Sequence, residues 1–315
     1  NPATWFQAAN RVSAARPDAV LFKYWMPFFA PAYGTILRQV KKHWRPRPVR
    51  SIMIVDNLIP HEPRPFDLRL TRWLMKTVDA YIVQSGAVRE DLLRLRPDAS
   101  FREVAHPVYS LFGERVPKEE ARRALGLDPS QPLLLFFGFV RRYKGLDTLL
   151  RALPAIRAGL DRPPRLVVLG EFYEGREETR ALITRLGLDE AVEAPGDYVP
   201  DEKVGLYFSA ADVVVLPYRS ATQSGIVQIA YQLERPVICT DVGGLAEVVL
   251  DGRTGLVVPP EDPEALAAAV VRYYREDLEP GFVEQVREEK RRYSWDPLVA
   301  AIEELAREGR EEGLA

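Results

Sequence analysis

Residues 213–244 read VVVLPYRSATQSGIVQIAYQLERPVICTDVGG. Two continuous apolar runs, VVVL and PVIC, are each followed by small polar residues and glycine. Between them lies a helical run starting near Ile226. Strands covered on both faces read as unbroken apolar runs rather than alternating ones. Strand, helix, strand in that order predicts a parallel sheet built from right-handed crossovers. Ligands in such sheets bind beyond the carboxyl ends of the strands, so the loops after strands are where function is read.

The same grammar extends in both directions. DAVLFKYW, RSIMIVDN, AYIVQS and FREVAHPV read as strands in the first third. PLLLFFGFV, RLVVLGE, AVEAPGDY, DVVVLPY, RPVICTD and GLVVPP read as strands in the rest. Helical patterns separate them, among them PFDLRLTRWLMKTVD, AVREDLLRL, LDTLLRALPAIRAG, REETRALITRLG, DEKVGLYFSA and DPEALAAAVVRYYRED. Residues 110–132 hold Gly, Pro and a charged helix but no strand pattern, and mark a boundary. The expected division is 1–110, 111–294 and a final amphipathic helix in 295–315. A chain of 315 residues suits two domains better than one core.

Composition excludes several classes. The net charge is -2, so no global field draws in nucleic acid. Arg outnumbers Lys 35 to 8, which fits a GC-rich bacterial genome or a warm habitat. Cys239 is the single cysteine and sits in an apolar run, so there is no disulfide framework and a reducing cytoplasm is expected. His43, His61 and His106 lack metal-ligand spacing, and no metal is expected. No apolar run reaches the length of a membrane span. The start, NPATWF, reads like a chain cut in mid-domain.

Three loops follow strands of the second domain. In FFGFVRRYKGLDTLL, Gly138 ends a strand and Arg141, Arg142 and Lys144 precede a helix. Cations beside a helix N-terminus would meet an anion; the alternative is a solvated basic turn. In PYRSATQSGIVQ, Gln223, Ser224 and Gly225 offer an amide, a hydroxyl and backbone N–H groups before a helix. They suit a phosphate or a sugar hydroxyl, or make an ordinary N-cap. In TDVGGLAEVV, Gly243 and Gly244 allow close backbone approach, and Glu247 follows on a short helix.

These blocks, FFGFVRRYKGLDTLLRALP, GDYVPDEKVGLYFSAADVVVLPY and RPVICTDVGGLAEVVLDGRTGLVVPPEDPEALAAAV, resemble the C-terminal domain of GT-B glycosyltransferases of family 4. The resemblance covers about residues 132–275. IMIVDNLIPHE, DAYIVQSGAVREDLL and VAHPVYSLFG resemble the acceptor-side domain of that family more loosely. It implies two Rossmann-like domains facing across a cleft, with the N-terminal one incomplete here. A nucleoside-diphosphate sugar would serve as donor, with retention of configuration and no required cofactor. Lys144 with Arg141 or Arg142 would hold the diphosphate, assisted by amides near Ser224 and Gly225. Gly243, Gly244 and Glu247 would border the donor sugar. Residues 295–308 would form the helix that returns to the N-terminal domain.

The sequence departs from the family in several places. Ala221 and Ile229 stand where the family carries two Glu that contact donor sugar and ribose; Gln223 and Gln228 supply amides instead. Phe139 replaces a commoner Arg. Asp56 ends the strand IMIVDN where relatives have His; it could orient an acceptor hydroxyl or form a turn, and His61 and Glu62 could take that place. On the order of 60 residues expected before RPDAVLFKYW are absent, which leaves about four strands in the first domain. KYWMPFFAPAYGTILRQVKKHWRPRPVR mixes aromatic and basic residues. It could lie on an anionic membrane face or hold a lipid-linked acceptor, or could be a buried aromatic cluster with a solvated turn. The expected function is transfer of a sugar to an acceptor hydroxyl on a carbohydrate or lipid-linked acceptor, in the cytoplasm or at the inner membrane face. The alternatives are a non-catalytic GT-B-like binder and a sugar-nucleotide epimerase.

Overall fold

A computed structural model describes residues 1–43, 49–60 and 64–312. His61, Glu62 and the WRPRP part of the aromatic-basic segment lie outside the described residues. The chain divides into two compact units, Asn1–His106 with Trp295–Ala315, and Pro107–Ser294.

The first unit runs α1 (Pro2–Ala14), β1 (Ala19–Tyr24), α2 (Ala30–His43), β2 (Arg50–Val55), α3 (Asp67–Met75), β3 (Ala80–Val83), α4 (Gly86–Leu95) and β4 (Ser100–Glu103). Its sheet has the order β1-β2-β3-β4, every pair parallel. Residue parity sends alternate side chains to opposite faces. Met53, Val55, Tyr81 and Val83 meet Leu37 of α2 and Leu74 and Met75 of α3 in one core.

The second unit runs α5 (Lys118–Ala124), β5 (Leu133–Phe137), α6 (Leu146–Ala158), β6 (Arg165–Leu169), α7 (Arg176–Arg185), β7 (Val192–Glu193), α8 (Asp201–Ala210), β8 (Val213–Leu216), α9 (Gly225–Gln232), β9 (Val237–Thr240), α10 (Leu245–Val248), β10 (Gly255–Val258), α11 (Pro263–Arg275) and α12 (Glu279–Glu289). Its six strands are parallel in the order β10-β9-β8-β5-β6-β7. β5 and β8, adjacent in space but far apart in sequence, form the switch point at which a doubly wound sheet opens a crevice for ligands. Apolar layers cover both faces, one holding Leu134, Phe136, Val213 and Val215, the other Leu133, Leu135, Val214 and Leu216.

The chain then returns to the first unit as α13 (Asp296–Glu312). Its Leu298, Ala301 and Leu305 bury the remaining face of β2 and β3 at Ile52, Ala80 and Ile82. Arg102 bonds Glu304 at 2.7 Å and also Glu308, which fixes the helix against β4.

All ten strands read from the apolar runs are present, although AVEAPGDY yields only Val192–Glu193. Three helices lie outside the helical patterns of the sequence. α1 is capped by the Asn1 side chain. α2 occupies most of the described part of the aromatic-basic segment, and Gly34 within it leaves room for Trp73, whose ring would stand 2.2 Å from a Cβ there. α12 starts through Pro280 and Gly281, a pair that reads as a breaker although proline in a first turn is permitted.

Candidate functional site

The loops leaving β5 and β8 meet at the switch point. Gly145 has φ +65°, and a Cβ on it would stand 1.9 Å from the Pro217 carbonyl oxygen. Only glycine allows the two backbones to lie this close. Gly138, at φ +99°, donates its N–H to Leu169 O at 2.8 Å. A Cβ on Gly138 would stand 2.8 Å from Lys144 Nζ and 3.3 Å from Ile226 Cδ1. The missing side chain of Gly138 is thus the space in which the lysine lies.

Lys144 closes the 3-10 turn Arg142–Lys144 and is 8% exposed. Burial, and then the like charge of Arg141, lower its pKa from 10.5 to about 8. Its Nζ lies 5.6 Å from the centre of the Tyr218 ring. Among the described residues, the charge felt by this ammonium is that of Arg141, of the same sign. An opposite charge supplied by a ligand would stabilise it. The helices α6 and α9 begin at this crevice, at Leu146 and Gly225, and add partial positive charge.

Arg141 and Arg142 diverge. The Arg141 guanidinium stacks 3.9 Å above the Tyr173 ring, while Arg142 is exposed and donates its backbone N–H to Glu174 Oε1 at 3.3 Å. Phe139, 53% exposed, meets Tyr173 edge-on with centroids 6.4 Å apart. An exposed aromatic pair therefore rims the loop where Phe139 stands in place of a cation.

In the second loop, Ser224 is the N-cap of α9, its Oγ accepting from Ile226 N at 3.3 Å. Gly225 lies against Tyr109, whose Cε2 would be 3.1 Å from a Cβ there. Gln223 is partly buried just before this cap. Gln228 is 2% exposed, and its amide oxygen accepts no hydrogen bond among the described residues.

The glycines of the third loop lie against the second loop. Gly243 has φ +48°, and a Cβ on it would stand 1.6 Å from Ala221 O. Gly244 donates its N–H to Thr222 O at 3.1 Å. At both glycines the backbone packs closely against the neighbouring loop. Glu247 is exposed on α10. In the first unit, Asp56 stands just past β2, donates its N–H to Tyr24 O at 2.9 Å, and pairs with Lys23 Nζ at 3.2 Å.

Arg219, Tyr218, Asp147 and Glu261 were missed in the sequence. Arg219 follows the β8 run directly, the same signal that singled out Arg141 and Arg142 after β5. Among the described residues no cluster of His, Cys, Asp and Glu could hold a metal ion. No described helix is long and apolar enough to cross a membrane.

The fold defines the class: this is a GT-B glycosyltransferase fold. The structure superposes on sucrose-phosphate synthase from Thermosynechococcus elongatus with a TM-score of 0.76 and 22% identity, covering 92% of this chain and 73% of that one. HepE from Anabaena, solved with UDP and glucose, gives a TM-score of 0.76 at 17% identity, covering 94% and 80%. Residues 131–276 match the family described as glycosyl transferases group 1. The D-inositol 3-phosphate glycosyltransferase of Corynebacterium urealyticum is 35% identical over 197 residues, 60% of this chain and 46% of that protein. The enzyme of the same name from Saccharomonospora viridis is 32% identical over 243 residues, 73% of this chain and 56% of that protein. The chain spans about half the length of the curated relatives it matches.

Proposed function

We propose that the protein transfers a sugar from a nucleoside-diphosphate sugar to an acceptor hydroxyl. The observation that carries this reading is Lys144, a buried ammonium at the β5/β8 switch point with a pKa lowered to about 8. Holding a cation there is costly unless an anion completes the site. A diphosphate beyond Gly138 would do so, with Arg142 at the mouth, Arg141 on its Tyr173 stack, and backbone N–H groups at Ser224 and Gly225. The same cations would offset the charge that grows on the nucleoside diphosphate as it leaves. UDP-glucose, bound by HepE in another of its structures, is the natural first donor to test.

The reaction proceeds with retention and without a required metal or organic cofactor. Gln223 and the buried Gln228 read the donor through amide hydrogen bonds. Gly243 and Gly244 shape the loop, and Glu247 borders the donor sugar. Asp56, in the acceptor-side domain of residues 1–110, orients the acceptor hydroxyl. The donor domain spans 111–294, and 295–315 forms the returning helix. The acceptor is a carbohydrate or a lipid-linked sugar. The exposed Trp25 and Phe28 support contact with a membrane face on the cytoplasmic side.

A second reading is a GT-B-like protein that binds a nucleotide sugar without turnover. Ala221 and Ile229, which provide no carboxylate, favour it. Calorimetric titration with UDP, GDP and their sugars, on wild type and Lys144→Ala, tests the donor site. Micromolar binding lost in the variant supports it. Binding equal in both proteins, or none by any nucleotide, refutes the assignment. Sugar transfer from the bound donor then separates the enzyme from the binder.

A further inference from the structure

We infer that Arg219 is the positioning residue of this anion site: it clamps the turn that carries Lys144 and holds two carboxylates away from it. This rests on the reading of Lys144 as the diphosphate ligand. The guanidinium spends its three nitrogens on three different segments. Nη1 donates to Arg142 O at 2.7 Å, Nη2 to Asp147 Oδ2 at 2.7 Å, and Nε to Glu261 Oε1 at 2.8 Å. The Arg219 backbone N–H donates to Tyr143 O at 2.7 Å. The bonds therefore land at residues 142, 143 and 147, on both sides of Lys144, and tie the β5 and β8 loops to the segment before α11.

Two consequences follow. A lysine buried beside a like charge gains hydration if its turn swings outward, so something must hold the turn inward. The Arg219 bonds and the glycine contact at Pro217 are the restraints that do so. The second consequence is electrostatic. Asp147 lies three residues beyond Lys144 and, unpaired, would compete with a diphosphate for its charge. Arg219 engages it, together with Glu261. The groups facing Lys144 are Arg141 from its own loop, Tyr218 from the β8 loop and Gly138 and Ile226, which do not titrate. A planar fork is needed for three divergent bonds, so lysine at 219 would be a poor substitute.

The test measures UDP affinity between pH 6.5 and 10.5 in wild type, Lys144→Ala, Arg219→Met and Arg219→Lys, with thermal unfolding in parallel. Wild-type affinity falls as pH rises through about 8, where Lys144 loses its proton. Arg219→Met is expected to bind UDP at least tenfold more weakly, with its midpoint moved upward toward that of a hydrated lysine. Arg219→Lys should recover only part of the affinity. A general loss of stability would weaken binding without moving the midpoint, and that result overturns the inference. So does an Arg219→Met protein that binds as wild type does while Lys144→Ala does not bind. Should Lys144→Ala bind normally, the donor-site reading itself fails. If Arg219→Met does not fold, Glu261→Gln, which loosens one exposed partner, must show the same direction of shift or the inference falls.

Discussion

Replacing Lys144 by methionine should make the unliganded protein more stable while abolishing its affinity for nucleotide. Methionine keeps the length of the side chain and removes the charge. The lysine is pushed down from 10.5 to about 8, first by burial and then by Arg141. The unfolded chain thus holds this proton more tightly than the folded one, so stability rises with pH between about 8 and 10.5. At pH 7 the buried charge costs about 3 kcal/mol, and at pH 9.5 about 1.5 kcal/mol. In a unit the size of Pro107–Ser294, each kcal/mol moves the unfolding midpoint by about 2–4 °C. Lys144→Met should therefore melt about 6–12 °C above wild type at pH 7, with roughly half that advantage at pH 9.5. Scanning calorimetry at the two pH values reads both numbers, and titration with UDP reads the loss of binding. A variant that melts below wild type at pH 7, or whose advantage does not shrink with pH, would refute the account of Lys144 as a charge held in readiness.

Two further outcomes concern the opposite end of the sheet. The buried Asp212 carboxylate accepts from Lys118 at 2.6 Å, Arg122 at 2.8 Å and Leu133 N at 2.6 Å. Asp212→Asn takes from the buried Arg122 its carboxylate partner and leaves Lys118 with Glu279 alone, and should cost about 3–5 kcal/mol in urea unfolding of the second unit. Glu234 is raised by burial but lowered further by hydrogen bonds from Arg287 and Lys290, and ends near 2. Its contribution is full above about 4.5 and is lost as pH falls toward 2. Glu234→Gln should remove about 1–2 kcal/mol at pH 7 and flatten stability against pH between 5 and 2, as read by chemical unfolding across that range.

The strands were legible because a sheet covered on both faces demands unbroken apolar runs, and VVVL, PVIC and LLLFF are such runs. The direction of every strand followed from the helices between them. Partners in space were not legible. Gly243 and Gly244 announced a close approach, but the atoms they approach, Ala221 O and Thr222 O, are brought there by the β8–β9 crossover. Lys144 could be singled out as a cation after a strand, but its burial depends on Gly138 and Tyr218, which the fold alone brings to it. Arg219 was passed over because a cation after PY reads as a solvated turn until its three acceptors are placed. α2 was hidden because Pro31, Gly34 and five aromatics in residues 24–33 resemble no helical pattern, although proline fits the first turn and the glycine admits Trp73.

The return of α13 sets the order in which a nascent chain can mature. Strands β5 to β10 and their covering helices all lie within Pro107–Ser294, so the second unit can complete its core without any later residue. The first unit cannot. Ile52, Ala80 and Ile82 await Leu298, Ala301 and Leu305, which are made after the whole second unit. During synthesis the earlier-made half carries an open apolar sheet face while the later-made half matures. A stalled or clipped product lacking α13 would expose that face permanently, and such chains are natural clients for chaperones.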